Sequence, residues 1–228
     1  MKYIISFFLF IPVLLWSQTN CDTGEALFKQ KKYAEAQVLL QKCISDNPKN
    51  YKAIDQLGEI AYHSKNWDDA IKYSTILKNA FPSNAEYWFR YGGSLGMKAQ
   101  KSSKIKAFTM LDDIEGSFVK AAKLDPKHIN SRWALVVLYV ELPGIIGGSE
   151  KKALRYANEL MQLSKVDGYL AKGYIDLYYK RYDKAEINYV KAHEIGHSKT
   201  TFEKLYDLYL NKIKNKGKAE ELKSEFKN

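Results

Sequence analysis

Three stretches of the chain superimpose on one another: KYAEAQVLLQKCISDNP, NWDDAIKYSTILKNAFP and RYDKAEINYVKAHEIGH. Each opens on an aromatic residue (Tyr33, Trp67, Tyr182) and carries alanine three positions later (Ala36, Ala70, Ala185). Twelve residues beyond each alanine stand Pro48, Pro82 and His197. Ala36 to Ala70, Pro48 to Pro82 and Ala185 to Ala219 are all 34 residues apart. A period of this size constrains the fold more than any other feature. A repeating unit of about 20–50 residues is one supersecondary element that cannot bury its apolar face alone, so stability has to come from stacking successive units.

Sixteen residues before the alanines a second pattern recurs: Ile54-x-x-Leu57-Gly58 and Tyr169-x-x-Lys172-Gly173, with Thr23-Gly24 in the first copy. Two further stretches keep the spacing, Trp88-x-x-Tyr91-Gly92-x-x-Leu95 and Trp133-x-x-Val136-Val137-x-x-Val140. Apolar residues at helical spacing, a small residue for close helix approach and a closing proline predict helix–turn–helix units. Helix pairs are expected over 18–48, 51–82, 85–126, 130–165 and 166–197, with a capping pair at 199–227 whose Lys and Glu lie on most faces. The third copy has about ten extra residues, including KAQKSSKIKAF, and Ile114 in the alanine position. The fourth has Val136-Val137 in place of Leu-Gly and an insertion, PGIIGGS; the fifth has Asp176 where an aromatic is usual.

This combination resembles the tetratricopeptide repeat, W-x2-L-G-x2-Y followed by A-x3-F and P. With YGGSLGMKAQ, RWALVVLYVELPGIIGGSEKKAL and GYLAKGYI it is similar to an exported bacterial subgroup of that family carrying a PGIIGGS-type insertion. The resemblance implies an all-α fold, a right-handed α-solenoid of stacked antiparallel helix pairs forming one repeat domain over 19–228. It also implies a protein or extended-peptide partner held in a concave groove lined by the first helix of each pair. Register on those helices selects Glu59, Tyr62, Phe89, Leu138, Glu141, Tyr174 and Tyr178, an aromatic surface with scattered carboxylates. A more distant resemblance, to periplasmic repeat proteins associated with solute transporters, implies the alternative of a small-solute pocket built from the insertions at 97–106 and 142–149.

The first residues, MKYIISFFLFIPVLLWSQTNCD, read as a secretory signal: Lys2, an apolar run over 4–16, then Ser17-Gln18-Thr19. That run is short of the ~20 residues needed to span a bilayer. Residues 1–18 are therefore expected to be a signal peptide, with a mature chain beginning near Gln18 or Asn20, exported and periplasmic, and with no integral membrane segment. Secretion or lipid anchoring through Cys21 is the alternative, although Gln18 and Asn20 suit a lipid-attachment signal poorly. In an exported chain Cys21 and Cys43 are a disulfide candidate, weighed equally against two small residues in helix contacts.

The formal charge is +10, yet only Arg90, Arg132, Arg155 and Arg181 are arginines. Nucleic-acid surfaces use arginine forks in a localised patch, whereas these lysines are scattered, so no nucleic-acid partner is expected. The pentapeptide His193-Glu194-Ile195-Gly196-His197 spells the HExxH of zinc proteases. That chemistry needs both imidazoles on one helix face and a third ligand. The positions where a related extension would place Gly and His hold Thr200 and Glu203; Glu203, Glu220 and Glu221 are the remaining acidic options. The repeat register yields the same letters without chemistry, Gly196 suiting a helix C-cap and His197 standing in the closing-proline position. The chain is read as a non-enzyme without metal or cofactor. In the insertion, Gly144, Gly147 and Gly148 lead into Ser149, a good N-cap; such a loop can aim N–H groups at an anion, but Glu150 would repel one. It is read chiefly as a structural insertion.

Overall fold

A computed structural model describes residues 11–227, with side chains from 20 to 226; the beginning of the expected signal peptide, residues 1–10, lies outside the described residues. All regular structure among the described residues is helical. The chain packs as two compact units, Met1–Ser117 and Phe118–Asn228. The first holds α1 (Ile11–Lys29), α2 (Tyr33–Asp46), α3 (Tyr51–His63), α4 (Trp67–Ala80), α5 (Ala85–Gln100) and the short α6 (Lys104–Phe108). Helix α7 (Leu111–Leu124) runs through the division. The second holds α8 (Ile129–Glu141), α9 (Glu150–Leu163), α10 (Lys165–Tyr178), α11 (Tyr182–Gly196), α12 (Lys199–Asp207) and α13 (Lys216–Lys227).

Within each unit consecutive helices pack on one another: α1 on α2, α2 on α3, α3 on α4 and α4 on α5, then α8 on α9, α9 on α10 and α10 on α11. The repeated alanines mark these seams, and Ala36, Ala70, Ala185 and Ala219 are all buried. The small residue on the first helix of a pair meets a large one on the second. A β-carbon at Gly24 would lie 3.1 Å from the Leu40 side chain, at Gly58 3.3 Å from Tyr73, and at Gly173 2.4 Å from the Tyr189 ring. Glycine here sets how closely the two backbones approach, which is what the Leu-Gly position of the repeat requires. The resulting cores are Leu40, Ile54, Leu57 and Leu77 in the first unit, and Tyr189, Leu205 and Leu208 in the second.

Two kinds of turn recur. At three junctions between pairs, proline stops one unit and the residue two places on caps the next: Asn50 accepts from the Ala53 N–H, Asn84 from Glu86 and Tyr87, and His128 Nδ1 from Ser131; at the other two, Ser164 and Ser198 are the caps. In the pairs α1–α2, α3–α4 and α10–α11, a lysine with positive φ stands two residues past the first helix: Lys31 at 60°, Lys65 at 58° and Lys180 at 58°, whereas α5 and α8 are followed by Lys101 and Leu142 at negative φ. Around each left-handed lysine, two bonds close the helix end, as where Asn66 N–H reaches Ala61 O and Lys65 N–H reaches Tyr62 O. This is the Schellman arrangement with lysine in the place glycine usually takes.

Three details differ from the expectation. Helix α1 begins at Ile11 rather than near residue 18. The extra residues of the third copy hold a helix of their own, α6. In the capping pair α12 gives way at Leu208 to a π-helical turn, Leu208–Ile213, closed by Asn215 N–H on Tyr209 O.

Candidate functional site

Helices α3, α4 and α5 enclose a cleft of about 310 Å³. Asp55, Glu59, Tyr62 and His63 of α3 reach it because spacings of four, three and one put them on one helical face. Glu86, Phe89, Arg90 and Gly93 do the same from α5, while Ala70, Ser74 and Leu77 of α4 form the floor. Gly58 and Gly93 contribute backbone only, which deepens the cleft. Arg90 ties the two walls together: its Nη1 donates to Asp55 Oδ1 at 2.7 Å and its Nε to Glu86 Oε1 at 2.8 Å. Burial raises the Asp55 carboxyl above its ordinary range, against the opposing pull of Arg90. Tyr62 is exposed and sits edge-on to Trp67, with ring centroids 5.4 Å apart. His63 stacks on Tyr33 at 5.3 Å and stands 3.7 Å from Glu59.

The expected groove residues fall into two groups, one in each unit. Glu59, Tyr62 and Phe89 line the cleft just described. In the second unit Tyr174 of α10 donates to Glu141 of α8 at 2.7 Å, and burial together with that carboxylate pushes the phenol well above its ordinary range. Tyr178 is exposed beside Tyr179 and Leu138 is half-buried on α8. Sequence reasoning missed Asp55, Glu86 and Arg90. The signal available was that Arg90 is one of four arginines and stands four residues after Glu86. The Asp55 partner is 35 residues away, close to one repeat period. The same spacing recurs in Trp133 to Asp167, 34 residues, and Tyr174 to Glu141, 33 residues, so polar ties link equivalent positions of neighbouring copies.

At the HExxH spelling, α11 stops at Gly196 and His197 takes a left-handed conformation, φ 39°, so the helix ends before the second imidazole, whose ring meets that of His193 edge-on with centroids 5.7 Å apart. His193 Nδ1 instead lies 3.1 Å from Thr201 Oγ1, with Phe202 and Phe226 around the ring. The left-handed cap residue is thus His197, not Gly196. Gly196 lies where the packing is close: a β-carbon there would stand 3.1 Å from Val166 and 3.2 Å from Thr201. No group of three or more His, Cys, Asp or Glu among the described residues is gathered as for a metal ion.

In the glycine insertion the N–H groups that the anion-site alternative would need are already engaged: Gly147 donates to Gly144 O, Gly148 to Pro143 O and Ser149 to Tyr139 O. Gly147 has φ 106°, and a β-carbon at Gly148 would collide with Leu142 O, so the glycines serve the tight turn itself. Ser149 caps α9 through Lys152 N–H, and Glu150 binds Arg181 at 2.6 Å. The insertions at 97–106 and 142–149 lie in different units, and the cleft on α3–α5 is lined by neither. Cys21 of α1 and Cys43 of α2 are joined by a disulfide, with Cα atoms 5.2 Å apart, and the Asn50 amide donates to Cys43 Sγ at 3.0 Å.

Residues 27–89 match the tetratricopeptide repeat family. No curated protein matches the chain. Among solved structures, a thermophilic tetratricopeptide repeat protein of Thermus thermophilus is similar at TM-score 0.65 and 16% identity, over 85% of this chain and 99% of that one. PilW, a widely conserved type IV pilus biogenesis factor, is similar at TM-score 0.66 and 14% identity, over 92% of both chains. YrrB, a tetratricopeptide repeat protein with an unusual peptide-binding site, is similar at TM-score 0.57 and 14% identity, over 80% and 87%. The fold is that of tetratricopeptide repeat proteins.

Proposed function

We propose that this tetratricopeptide-repeat chain is an exported adaptor that binds an extended segment of another protein along the first helices of its pairs. The observation that carries the reading is the cleft on α3–α5, where exposed Tyr62 and half-buried Phe89 stand over a floor of Ala70, Ser74 and Leu77. Aromatic side chains at the mouth of a cleft are efficient anchors for a peptide, because they bury large area for few frozen torsions. The peptide-binding site named for YrrB, a protein of the same fold, supports the choice of ligand class. Export is supported by the apolar leader and by the proximity of Cys21 to Cys43, since disulfides persist outside the reducing cytosol. Among the described residues no helix is long and apolar enough to cross a membrane.

The test is affinity capture by the wild-type protein and by the double variant Tyr62→Ala, Tyr174→Ala. Capture of the native partner should be lost with helicity unchanged, each truncated anchor costing about 2 kcal/mol of binding. If capture survives the double change but disappears when residues 144–148 are deleted, the groove is not the site and the insertion is.

A further inference from the structure

The cleft on α3–α5 is locally acidic in a chain whose formal charge is +10. Three carboxylates line it, Asp55, Glu59 and Glu86, against one guanidinium, Arg90. They are not equivalent. Arg90 occupies both Asp55, at 2.7 Å, and Glu86, at 2.8 Å, which fixes those two carboxylates as part of the wall. Glu59 is less engaged: its contact is with the neighbouring imidazole of His63 at 3.7 Å, and its side chain is 41% exposed. It lies one turn before Tyr62 on the same face of α3, so a chain passing the Tyr62 ring arrives at the carboxylate.

We propose that this cleft is a subsite for a lysine or arginine side chain of the bound peptide, the aliphatic stem lying against Tyr62 and Phe89 and the charged head reaching Glu59. The inference rests on the peptide-binding reading above and adds the side chain that reading leaves open. Three features select a basic side chain over the alternatives. The lining carries an excess of negative charge, so an acidic residue would be repelled and a cation drawn in. The aromatic walls suit both a methylene stem and a cation over a ring face. A wholly apolar side chain would displace water from the carboxylates with no replacement for its hydrogen bonds. The raised Asp55 carboxyl points the same way, since it reflects a site poor in solvent where an added positive charge is weakly screened.

The test begins with an array of acetylated, amidated nonapeptides in which one position is fixed and the others are mixed, probed with protein purified after expression of the full chain. The array should select lysine or arginine at one position and reject glutamate there. For the selected peptide, replacing that residue with norleucine should weaken binding to the wild type about tenfold, as measured by fluorescence anisotropy. Binding to Glu59→Gln should be weaker to the same degree and insensitive to the norleucine replacement. Circular dichroism of the variant should match the wild type, because amide replaces carboxylate at the same size on a half-exposed position. If peptides bind and Tyr62→Ala weakens them, but no basic residue is selected, the subsite is wrong and the groove stands. A basic preference that persists in Glu59→Gln places the cation elsewhere and also overturns the subsite. If no nonapeptide binds, the peptide-groove reading fails together with it.

Discussion

One methyl group measures how tightly the first helix of a pair lies on the second. At Gly173 an added β-carbon would stand 2.4 Å from the ring of Tyr189, which is itself buried and hemmed in by the α10–α11 seam. Something must shift, so Gly173→Ala should cost about 2 kcal/mol as an overpacked core site. Gly116, within α7, is the control, because a β-carbon there meets nothing within 4 Å. Gly116→Ala should stabilise by about 0.5–1 kcal/mol, through lower chain entropy in the unfolded state. Urea titrations of the two variants should therefore move in opposite directions. A second residue-scale effect concerns His193, whose ring is held below its ordinary pKa first by burial and then by His197. A histidine depressed in the folded state takes up its proton first in the unfolded chain. Stability contributed by the neutral ring is thus present above the unfolded pKa, near 6.5, and is lost as pH falls below it. The melting temperature should drop between pH 7.5 and 5.5 (about one unit either side of that value), and His193→Gln should flatten the dependence.

At the scale of the helix, the recurring device is the left-handed lysine that follows the first helix in three of the pairs. Lysine at Lys31, Lys65 and Lys180 occupies a conformation that glycine adopts without steric cost. Lys65→Gly should therefore raise stability by about 0.5–1 kcal/mol, the steric relief being partly offset by the freer unfolded chain. Differential scanning calorimetry of Lys65→Gly beside Lys65→Ala separates this from mere loss of charge, since only glycine should gain. These caps were not legible in the sequence because the signal for a Schellman turn is glycine, and lysine carries none. The paired all-α fold was legible, because alanine, glycine and proline recur where two backbones must touch or turn and no other residue serves as well. Glu59 and Tyr62 could be put on one face of α3 by helical spacing, and Phe89 of α5 beside them by the register of the repeat. Their ionic surroundings could not, since the tie from Arg90 to Asp55 depends on stacking one copy against the next. Nor could the π-helical turn at Leu208–Ile213, which adds a residue within an unbroken apolar pattern.

At the scale of the molecule, charge divides by residue type. Each of the four arginines forms an ion pair with a carboxylate: Arg90 with Asp55 and Glu86, Arg132 and Arg155 with Glu159, and Arg181 with Glu150 and Asp176. A planar guanidinium can grip two acceptors at once, which suits ties such as those of Arg90 and Arg181. The surplus of positive charge is then left to lysine, on a surface where it favours solubility. The covalent tie between Cys21 and Cys43 joins α1 to α2, so the association of that pair does not rest on packing alone. Closing a sequence separation of 22 residues is worth about 3 kcal/mol in the loop-entropy model. If the chain is exported as proposed, the purified protein should have lost its leader near Gln18 or Asn20 and have an intact mass about two daltons below the reduced form. Reduction should lower the melting temperature, and Cys21→Ser with Cys43→Ser should reproduce that drop without further sensitivity to reductant. A diacylglyceryl adduct on Cys21 would exclude the bridge and make the chain a lipid-anchored protein instead.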